Sequence, residues 1–205
     1  MAISPRVLIT GASGFTGKAV SSYLSSRGYM VSSLRADLLD ANEVLAEVKD
    51  VKPDYVLHFA AVSFVPTADI TLIYKVNVIG SVNLLEALCA LNSLPQKVVL
   101  ASSAAVYGNV SNGLLSESTC SMPNSHYGCS KLALEFMSKN YMNRLPILIT
   151  RPFNYTGVGQ GGEFIIPKIV NAYRNKHNII ELGNLDVFRE FNDVRDVCEV
   201  YRRLI

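Results

Sequence analysis

The stretch Arg6–Gly17, with the sequence RVLITGASGFTG, decides the fold of this chain. Its first five residues are a short run dominated by β-branched and aliphatic side chains, which predicts a buried parallel strand. Glycines follow at Gly11, Gly14 and Gly17. The amphipathic stretch Lys18–Arg27 then predicts a helix, so the order is strand, glycine-rich turn and helix.

That order is the context required of a dinucleotide-binding turn. Gly11 permits the tight turn, Gly14 lets the backbone approach a pyrophosphate, and Gly17 lets the helix pack closely on the strand. Backbone N–H groups at the helix start would then hold the phosphates. The spacing is G-x-x-G-x-x-G rather than G-x-G-x-x-G, so a simple tight turn is the alternative. The strand before the turn and the helix after it favour dinucleotide binding.

Predicted strands and helices alternate along the rest of the chain. The further strands are Tyr29–Leu34, Tyr55–Ala61, Lys97–Ala101, Ile147–Thr150 and Ile179–Ile180; the further helices are Glu43–Asp50, Ile70–Leu91, one carrying Tyr127 and capped by Asn124 or Ser125, Phe164–Lys176 and Val194–Ile205; Asn109–Asn124 is a loop, and Val187–Asp193 is a loop or short strand. This alternation predicts an α/β fold with a Rossmann-type doubly wound parallel sheet. We expect residues 1–160 to form the dinucleotide-binding domain. Residues 161–205 would start a small C-terminal substrate-binding part, with the last helix packing back on the first domain.

Composition narrows the class of protein. The 205 residues carry a net charge of +2, which does not argue for binding to nucleic acid or to a membrane surface. The four cysteines and three histidines are scattered and have no metal-ligand spacing, so no metal site is expected. The sequence has no signal peptide and no long apolar run, and we expect a soluble, cytoplasmic protein.

A pair of titratable residues suggests acid–base chemistry. Tyr127 and Lys131 are four residues apart in a predicted helix and therefore share one face. A tyrosine titrates near ~10, and a neighbouring lysine cation favours the phenolate and lowers that pKa. A serine hydroxyl at the end of the strand Lys97–Ala101 could hydrogen-bond a substrate carbonyl. A chance occurrence of the Tyr-x-x-x-Lys pattern is the alternative that this pattern alone leaves open.

The end of the second strand bears on the choice of cofactor. Arg35 ends that strand and Asp37 follows two residues later. An acid there favours NAD and an arginine favours the 2′-phosphate of NADP, so the prediction is NAD(P) with a slight preference for NADP. A solvated surface arginine would look the same. The small residues Ala60 and Ala61 would let a flat cofactor lie close, and we interpret His58 as a core histidine with satisfied hydrogen bonds and no catalytic role.

Taken together, the motifs resemble those of the extended short-chain dehydrogenase/reductase family. They are Thr10-Gly11-x-x-Gly14-Phe15-x-Gly17, His58-x-Ala60-Ala61, Asn77-Val78-x-Gly80, Tyr127-x-x-x-Lys131, Arg151-Pro152-Phe153-Asn154 and Arg189-x-Phe191-x-x-Val194-x-Asp196. Members of the family are NAD(P)-dependent epimerases, dehydratases and reductases of nucleotide sugars. The resemblance implies that Ser103, Tyr127 and Lys131 form the catalytic trio, with Lys131 also holding the nicotinamide ribose.

It also implies sets of binding residues. Predicted cofactor contacts are Gly11, Ser13, Gly14, Phe15, Thr16, Gly17, Arg35, Asp37, Leu38, Phe59, Ala60, Ala61, Asn77, Tyr127, Lys131 and Pro152. Predicted substrate contacts are Ser63, Ser102, Ser103, Asn154, Lys168 and Arg189, of which Asn154 and Arg189 match positions near the substrate diphosphate. The family normally forms homodimers through a four-helix bundle, here built from the helix that begins at Ile70 and the helix with Tyr127.

Within the family the chain is similar to GDP-4-keto-6-deoxy-mannose reductases, in Phe64–Pro66, Phe153–Gln160 and Gly183–Val187. This predicts NAD(P)H-dependent reduction of GDP-4-keto-6-deoxy-D-mannose to GDP-D-rhamnose. Ala105 stands where related dehydratases carry a glutamate, which argues against dehydration. A nucleotide-sugar 4-epimerase and a non-catalytic dinucleotide sensor are the alternatives. Members normally continue beyond the position of Ile205, so the substrate part is expected to be incomplete in this chain.

Overall fold

The computed structural model describes residues 4–63, 69–109, 113–183 and 189–205. Its strands are β1 (Arg6–Thr10), β2 (Met30–Ser33), β3 (Tyr55–His58), β4 (Lys97–Ala101), β5 (Ile147–Thr150), β6 (Asn154–Thr156) and β7 (Phe191–Asp193). Its helices are α1 (Phe15–Ser26), α2 (Ala41–Val51), α3 (Ile70–Tyr74), α4 (Ser81–Cys89), α5 (His126–Ser138), α6 (Ile165–Arg174) and α7 (Val194–Leu204). A π-helical segment, Lys75–Gly80, joins α3 to α4, and single 3-10 turns form at Ala104–Tyr107 and Lys139–Tyr141.

Five parallel strands form the main sheet, in the order β2-β1-β3-β4-β5. Alternate residues of β1 enter two different cores. Val7 and Ile9 pack with α1 and α7, whereas Leu8 packs with α2, α4 and α5 on the opposite face. Helices therefore cover both faces of the described sheet, and the doubly wound α/β fold is confirmed. All the strands point the same way, so their carboxyl ends meet at one edge, where ligands bind in such folds.

Helix ends follow the local chemistry of the chain. The Asp40 carboxylate accepts the N–H groups of Asn42 and Glu43 and caps α2, and the Ser125 hydroxyl accepts the N–H of Gly128 and caps α5. These caps satisfy N–H groups that have no partner within the helix. The cap at Ser125 sets the start of the helix that carries Tyr127.

Several predicted boundaries are corrected. Ile179–Ile180 is not a strand, because no described strand pairs with it and Ile179 is 81% exposed. β3 ends at His58 rather than Ala61, since the chain there turns under Gly11: the Phe59 N–H donates to Thr10 O. The long helix expected from Ile70 is interrupted by its π-helical segment and ends at Cys89. Phe64–Pro66, residues 110–112 of the predicted loop and Asn184–Val187 lie outside the described residues.

The C-terminal residues add one small sheet and two helices. β6, which sequence patterns did not predict, pairs in parallel with β7. α7 follows β7 directly and packs on α1 in the core that contains β1, β3 and β4 residues. The last helix packs with α1 against the main sheet, and the division into two domains near residue 160 stays a prediction.

Among the described residues, the stretch Ile70–Cys89 is apolar and long enough to cross a membrane by length and composition alone. It contains Asn77 and Ser81, which are each 1% exposed and hydrogen-bonded within the protein. It also packs against α2 and α5. These contacts are those of a core helix.

Candidate active site

The glycine turn joins β1 to α1 at the carboxyl edge of the sheet. Gly11 has φ +69°, in the left-handed region, and a Cβ there would lie 2.6 Å from Ala60 N. A Cβ at Gly17 would lie 2.2 Å from Gly11 O. The backbone itself therefore requires glycine at both positions. At Gly14 a Cβ would meet only Gly11 O, at 3.3 Å, so the surface above this exposed residue is open to a ligand.

Three predicted cofactor residues, Arg35, Asp37 and Leu38, follow β2. The Arg35 and Ala36 N–H groups both donate to the Glu47 carboxylate, at 2.7 to 3.0 Å. Asp37 accepts the N–H of Leu39 at 2.9 Å. Arg35 and Asp37 are exposed beside the sheet edge, where their side chains would contact the ribose of a bound cofactor. Leu38 is 8% exposed and packs in the core, so its side chain is an unsuitable cofactor contact.

His58 lies in a buried line of hydrogen bonds, as predicted. The Ser81 hydroxyl donates to Asn77 O, so it accepts from His58 Nε2–H at 2.8 Å. His58 Nδ1 therefore accepts from the Thr10 hydroxyl at 2.6 Å, and Thr10 Oγ1 accepts the N–H of Ala60. Burial, with a smaller effect of the Lys131 charge, lowers the pKa of His58 to about 3. The ring is neutral and both of its nitrogens are satisfied.

Asn77 is a buried residue that connects two segments of the site by hydrogen bonds. Its amide exchanges hydrogen bonds with the backbone of Val62 and donates to Ser130 Oγ at 2.9 Å. Ser130 in turn donates to Tyr127 O. Asn77 is 1% exposed and links the turn after β3 to α5. Its predicted contact with the cofactor stays a prediction.

The predicted trio assembles where β4 meets α5. The Ser103 hydroxyl accepts the N–H of Ala105 at 3.1 Å and lies close enough to the Tyr127 phenol to lower its pKa. The Lys131 ammonium donates to Ala101 O at 2.7 Å and lies 5.9 Å from the centre of the Tyr127 ring. The fold thus brings all three side chains together, with Tyr127 and Ser103 partly exposed and Lys131 buried.

The structure does not show the expected lowering of the Tyr127 pKa by Lys131. Burial raises the pKa of Tyr127 above its usual value, and the hydrogen bond from Ser103 only partly opposes that rise. Burial lowers the pKa of Lys131 to about 8. The Lys131 ammonium is directed at a backbone carbonyl rather than at the phenol, so Tyr127 is a protonated acid at neutral pH.

The buried lysine gives a pH-dependent stability. Below a pH of about 8, Lys131 is charged in both the folded and the unfolded chain, and burial of its charge costs stability. As the pH rises from about 8 to 10.5, the folded chain loses that charge first and the cost disappears. Across this range the unfolding free energy of the protein should rise by about 3 kcal/mol relative to that of Lys131→Met. Denaturant titrations at a series of pH values measure the difference, and a flat difference would contradict the buried charge.

Ser102 has a different partner from Ser103. Its hydroxyl is 3% exposed and donates to Glu135 Oε1 at 2.5 Å. Glu135 also accepts two hydrogen bonds from the Arg151 guanidinium, at 2.9 and 2.6 Å. The Ser102 hydroxyl therefore binds a buried carboxylate, and its predicted contact with the substrate stays a prediction.

The other predicted contacts are spread around the same edge. Phe15, Thr16 and Ser13 lie on or beside the glycine turn, and the backbone of Phe59 and Ala60 lies under Gly11, with Ala61 next in the chain. Pro152 O accepts the Ala104 N–H at 3.0 Å. Ser63, Asn154, Lys168 and Arg189 are all exposed. Asn154 donates to Glu190 O at 3.3 Å and Lys168 donates to Glu181 O at 2.5 Å. Their substrate roles stay predictions.

Sequence reasoning missed two residues at the site, Tyr155 and Glu135. Tyr155 shares a hydrogen bond with Thr16 at 2.6 Å and stacks on Phe15, with the ring centres 6.1 Å apart. Glu135 binds Ser102 and Arg151. The spacing of Glu135, four residues after Lys131, was a signal that could have found it. Tyr155 had no comparable signal, because it contacts Thr16 across 139 positions of the chain.

The residues present fit a dinucleotide. The turn offers N–H groups at the start of α1, an unobstructed surface at Gly14 and no acidic side chain in the first turn of that helix. These features suit a pyrophosphate, which is held by backbone N–H groups and the positive end of the helix. The trio lies at the same edge of the sheet.

Comparison with known proteins agrees with this site. The model of the NAD dependent epimerase/dehydratase family matches residues 7–205. The GDP-6-deoxy-D-talose 4-dehydrogenase of Aggregatibacter actinomycetemcomitans is 38% identical over 98% of this chain and 70% of its own length. The GDP-6-deoxy-D-mannose reductase of Pseudomonas aeruginosa is 33% identical over 99% of this chain and 71% of its own length.

Two solved structures share the fold. The structure of RMD from Pseudomonas aeruginosa complexed with NADPH has a TM-score of 0.85 at 32% identity, over 98% of this chain and 71% of that one. The UDP-glucose 4-epimerase of Thermus thermophilus in complex with NAD has a TM-score of 0.83 at 27% identity, over 97% of this chain and 73% of that one. Both nicotinamide cofactors therefore occur on this fold.

Proposed function

Because the chain belongs to the NAD dependent epimerase/dehydratase family, we propose that it reduces the 4-keto group of a GDP-linked 6-deoxy sugar, GDP-4-keto-6-deoxy-D-mannose. The observation that carries this proposal is the assembled trio of Ser103, Tyr127 and Lys131 beside the glycine turn. Members of the family are NAD(P)-dependent enzymes, and this chain keeps both the cofactor turn and the acid.

The names of the two relatives support the sugar. 6-Deoxy-D-talose and 6-deoxy-D-mannose (D-rhamnose) differ only in configuration at C4, so oxidation of either sugar at C4 gives the same ketone. A reductase of that ketone yields one product or the other according to the face that receives the hydride. GDP-D-rhamnose is the product that sequence motifs favour, and GDP-6-deoxy-D-talose is the one suggested by the relative at 38% identity.

The residues then have distinct tasks. A bound reduced nicotinamide supplies the hydride to C4. The Tyr127 phenol donates its proton to the oxygen at C4, and the Ser103 hydroxyl hydrogen-bonds the same oxygen. By resemblance to the family, Lys131 would hold the ribose beside the nicotinamide, in addition to its hydrogen bond with Ala101 O. Because burial raises the pKa of Tyr127, the acid stays protonated at neutral pH and turnover should fall only on the alkaline side.

The runner-up is a nucleotide-sugar 4-epimerase, which would use the same three residues. The UDP-glucose 4-epimerase of Mycoplasma genitalium, 29% identical to this chain, favours it. We also expect a cytoplasmic homodimer. Exposed apolar side chains on the helices expected to form its four-helix bundle support that assembly, among them Ile70, Leu72, Ile79 and Phe136.

Cofactor oxidation tests the proposal directly. NADPH and NADH are each mixed with the protein and GDP-4-keto-6-deoxy-D-mannose, and absorbance is followed at about 340 nm, the band of reduced nicotinamide. We expect oxidation, faster with NADPH, and NMR of the product gives its configuration at C4. Cofactor binding without oxidation would contradict the reductase, and C4 inversion of a GDP- or UDP-hexose without net oxidation would establish the epimerase.

A further inference from the structure

The helix that carries the predicted acid has a third polar residue on the same face. Tyr127, Lys131 and Glu135 follow one another at intervals of four residues and form one stripe along α5. Each contacts a residue at the end of β4. The pairs are Tyr127 with Ser103, Lys131 with Ala101 and Glu135 with Ser102. Three consecutive residues of β4 and the turn after it are thus tied to one helix face.

Glu135 forms the most constrained of these pairs. Glu135 is 6% exposed, and its carboxylate accepts hydrogen bonds from Nε and one terminal nitrogen of Arg151 and from the Ser102 hydroxyl. Arg151 follows β5 directly and also donates to the Tyr107 hydroxyl at 3.0 Å. Bidentate, charge-assisted hydrogen bonds are strong and fix geometry, the more so when they are buried. Glu135 therefore ties α5 to the ends of both β4 and β5.

We infer that Glu135 is a positioning residue, which sets the axial position of α5 against the end of β4 and so holds Tyr127 within hydrogen-bonding reach of Ser103. This inference rests on the catalytic roles proposed for those two residues. A long connection, residues 108–125, precedes α5 and the Ser125 cap acts only within the first turn of the helix, so side-chain contacts must set its axial position. Lys131 and Ser130 supply two of these contacts, with Ala101 O and Asn77, and Glu135 adds the link to Ser102 and to Arg151 at the end of β5. Loss of the Glu135 link should let the C-terminal half of α5 shift against the strand ends.

The decisive variant is Glu135→Gln, which keeps the shape and a hydrogen-bond acceptor but removes the charge that binds Arg151. We expect kcat to fall about 100-fold, the scale of a misplacement of about 1 Å, while the Kd of NADPH stays within about threefold. Ser102→Ala cuts the link to β4 and leaves the ion pair with Arg151 intact. It should lower kcat about tenfold in the same manner, and it decides the question if Glu135→Gln does not fold.

A matched ion pair provides the control. Arg6 binds Asp54 through a similar two-pronged contact, at 3.0 and 3.2 Å, at the amino end of the sheet. Asp54→Asn should lower thermal stability and leave kcat unchanged. If Asp54→Asn and Glu135→Gln lower kcat equally for equal losses of stability, Glu135 is merely structural and the inference is overturned.

A second readout does not depend on turnover. NMR with ring-labelled tyrosine, assigned through Tyr127→Phe, follows the ionisation of Tyr127. The Ser103 hydrogen bond lowers the pKa of Tyr127, so its loss in Glu135→Gln should move the titration to higher pH. An unchanged titration together with an unchanged kcat would overturn the inference. Failure of the proposed reductase shows separately, as absence of turnover in the unmodified protein, and the titration still decides the role of Glu135.

Discussion

Replacement of Tyr127 by phenylalanine should lower kcat by about 10²- to 10⁴-fold, or about 3 to 5 kcal/mol of activation free energy. The change removes one oxygen and keeps the ring. The lost oxygen is the proton donor that we propose, and it lies beside Ser103 at the carboxyl edge of the sheet. Binding of NADPH should be little affected, because the glycine turn that would hold the pyrophosphate is built by β1 and α1. Steady-state kinetics and a fluorescence titration of NADPH separate the two effects.

Tyr141→Phe is the matched control for this variant. The Tyr141 hydroxyl donates to Glu86 at 2.8 Å and has no part in the trio. Its removal should cost about 1 kcal/mol of stability, the usual net value of a hydrogen bond, and leave kcat unchanged. Retained turnover in Tyr127→Phe would remove Tyr127 from the role of acid and leave the Ser103 hydroxyl as the next candidate.

The parts of the site that sequence predicts well are those in which local chemistry decides the backbone. Gly11 needs a positive φ, Gly17 has no room for a Cβ, and Ser125 caps α5 within three residues. Each requirement involves a residue and its near neighbours in sequence, or a motif of fixed spacing. The strand–turn–helix order and the pairing of Tyr127 with Lys131 follow from such signals, whereas Ser103 is identified through the resemblance to the family.

What sequence misses or gets wrong depends on pairing across the chain. β6 is three residues long with no apolar run, and it exists because β7 pairs with it from 37 positions away, as Asn154 with Phe191. Ile179–Ile180 has the β-branched side chains of a strand but no such partner among the described strands. Glu135 reads as a surface charge on a helix until the fold brings Arg151 and Ser102 to it.

The pKa of Tyr127 is a further property that sequence spacing alone predicts wrongly. Spacing places Lys131 on the same helix face as the phenol, which suggested a lowered pKa for Tyr127. In the fold the ammonium donates to Ala101 O, and desolvation of the phenol becomes the larger effect. Sequence spacing predicts which side chains meet, whereas burial decides which of them keeps its charge.

Replacement of Gly17 by alanine should destroy cofactor binding together with much of the stability. Alanine normally stabilises a helix by about 1 kcal/mol relative to glycine. Here its Cβ would lie 2.2 Å from Gly11 O and 2.6 Å from Ala12 Cα. Both contacts are with backbone, so the turn must move, and overpacking of this kind costs about 1 to 3 kcal/mol or more. In the displaced turn the N–H groups no longer point at the phosphates. We therefore expect the Kd of NADPH to rise by at least about 100-fold.

Gly14→Ala separates cofactor binding from folding. Gly14 has φ −74°, which alanine adopts freely, and the nearest atom to its Cβ would be Gly11 O at 3.3 Å. Thermal unfolding of Gly14→Ala should therefore stay close to that of the unmodified protein and of Gly183→Ala, whose Cβ would meet no atom of the described residues within 4 Å. The Kd of NADPH should rise in Gly14→Ala and stay unchanged in Gly183→Ala. The methyl group added at Gly14 would occupy the surface that a pyrophosphate approaches. If Gly14→Ala binds NADPH as tightly as Gly183→Ala does, the pyrophosphate does not lie on this turn, and the cofactor would have to be placed elsewhere along the carboxyl edge of the sheet.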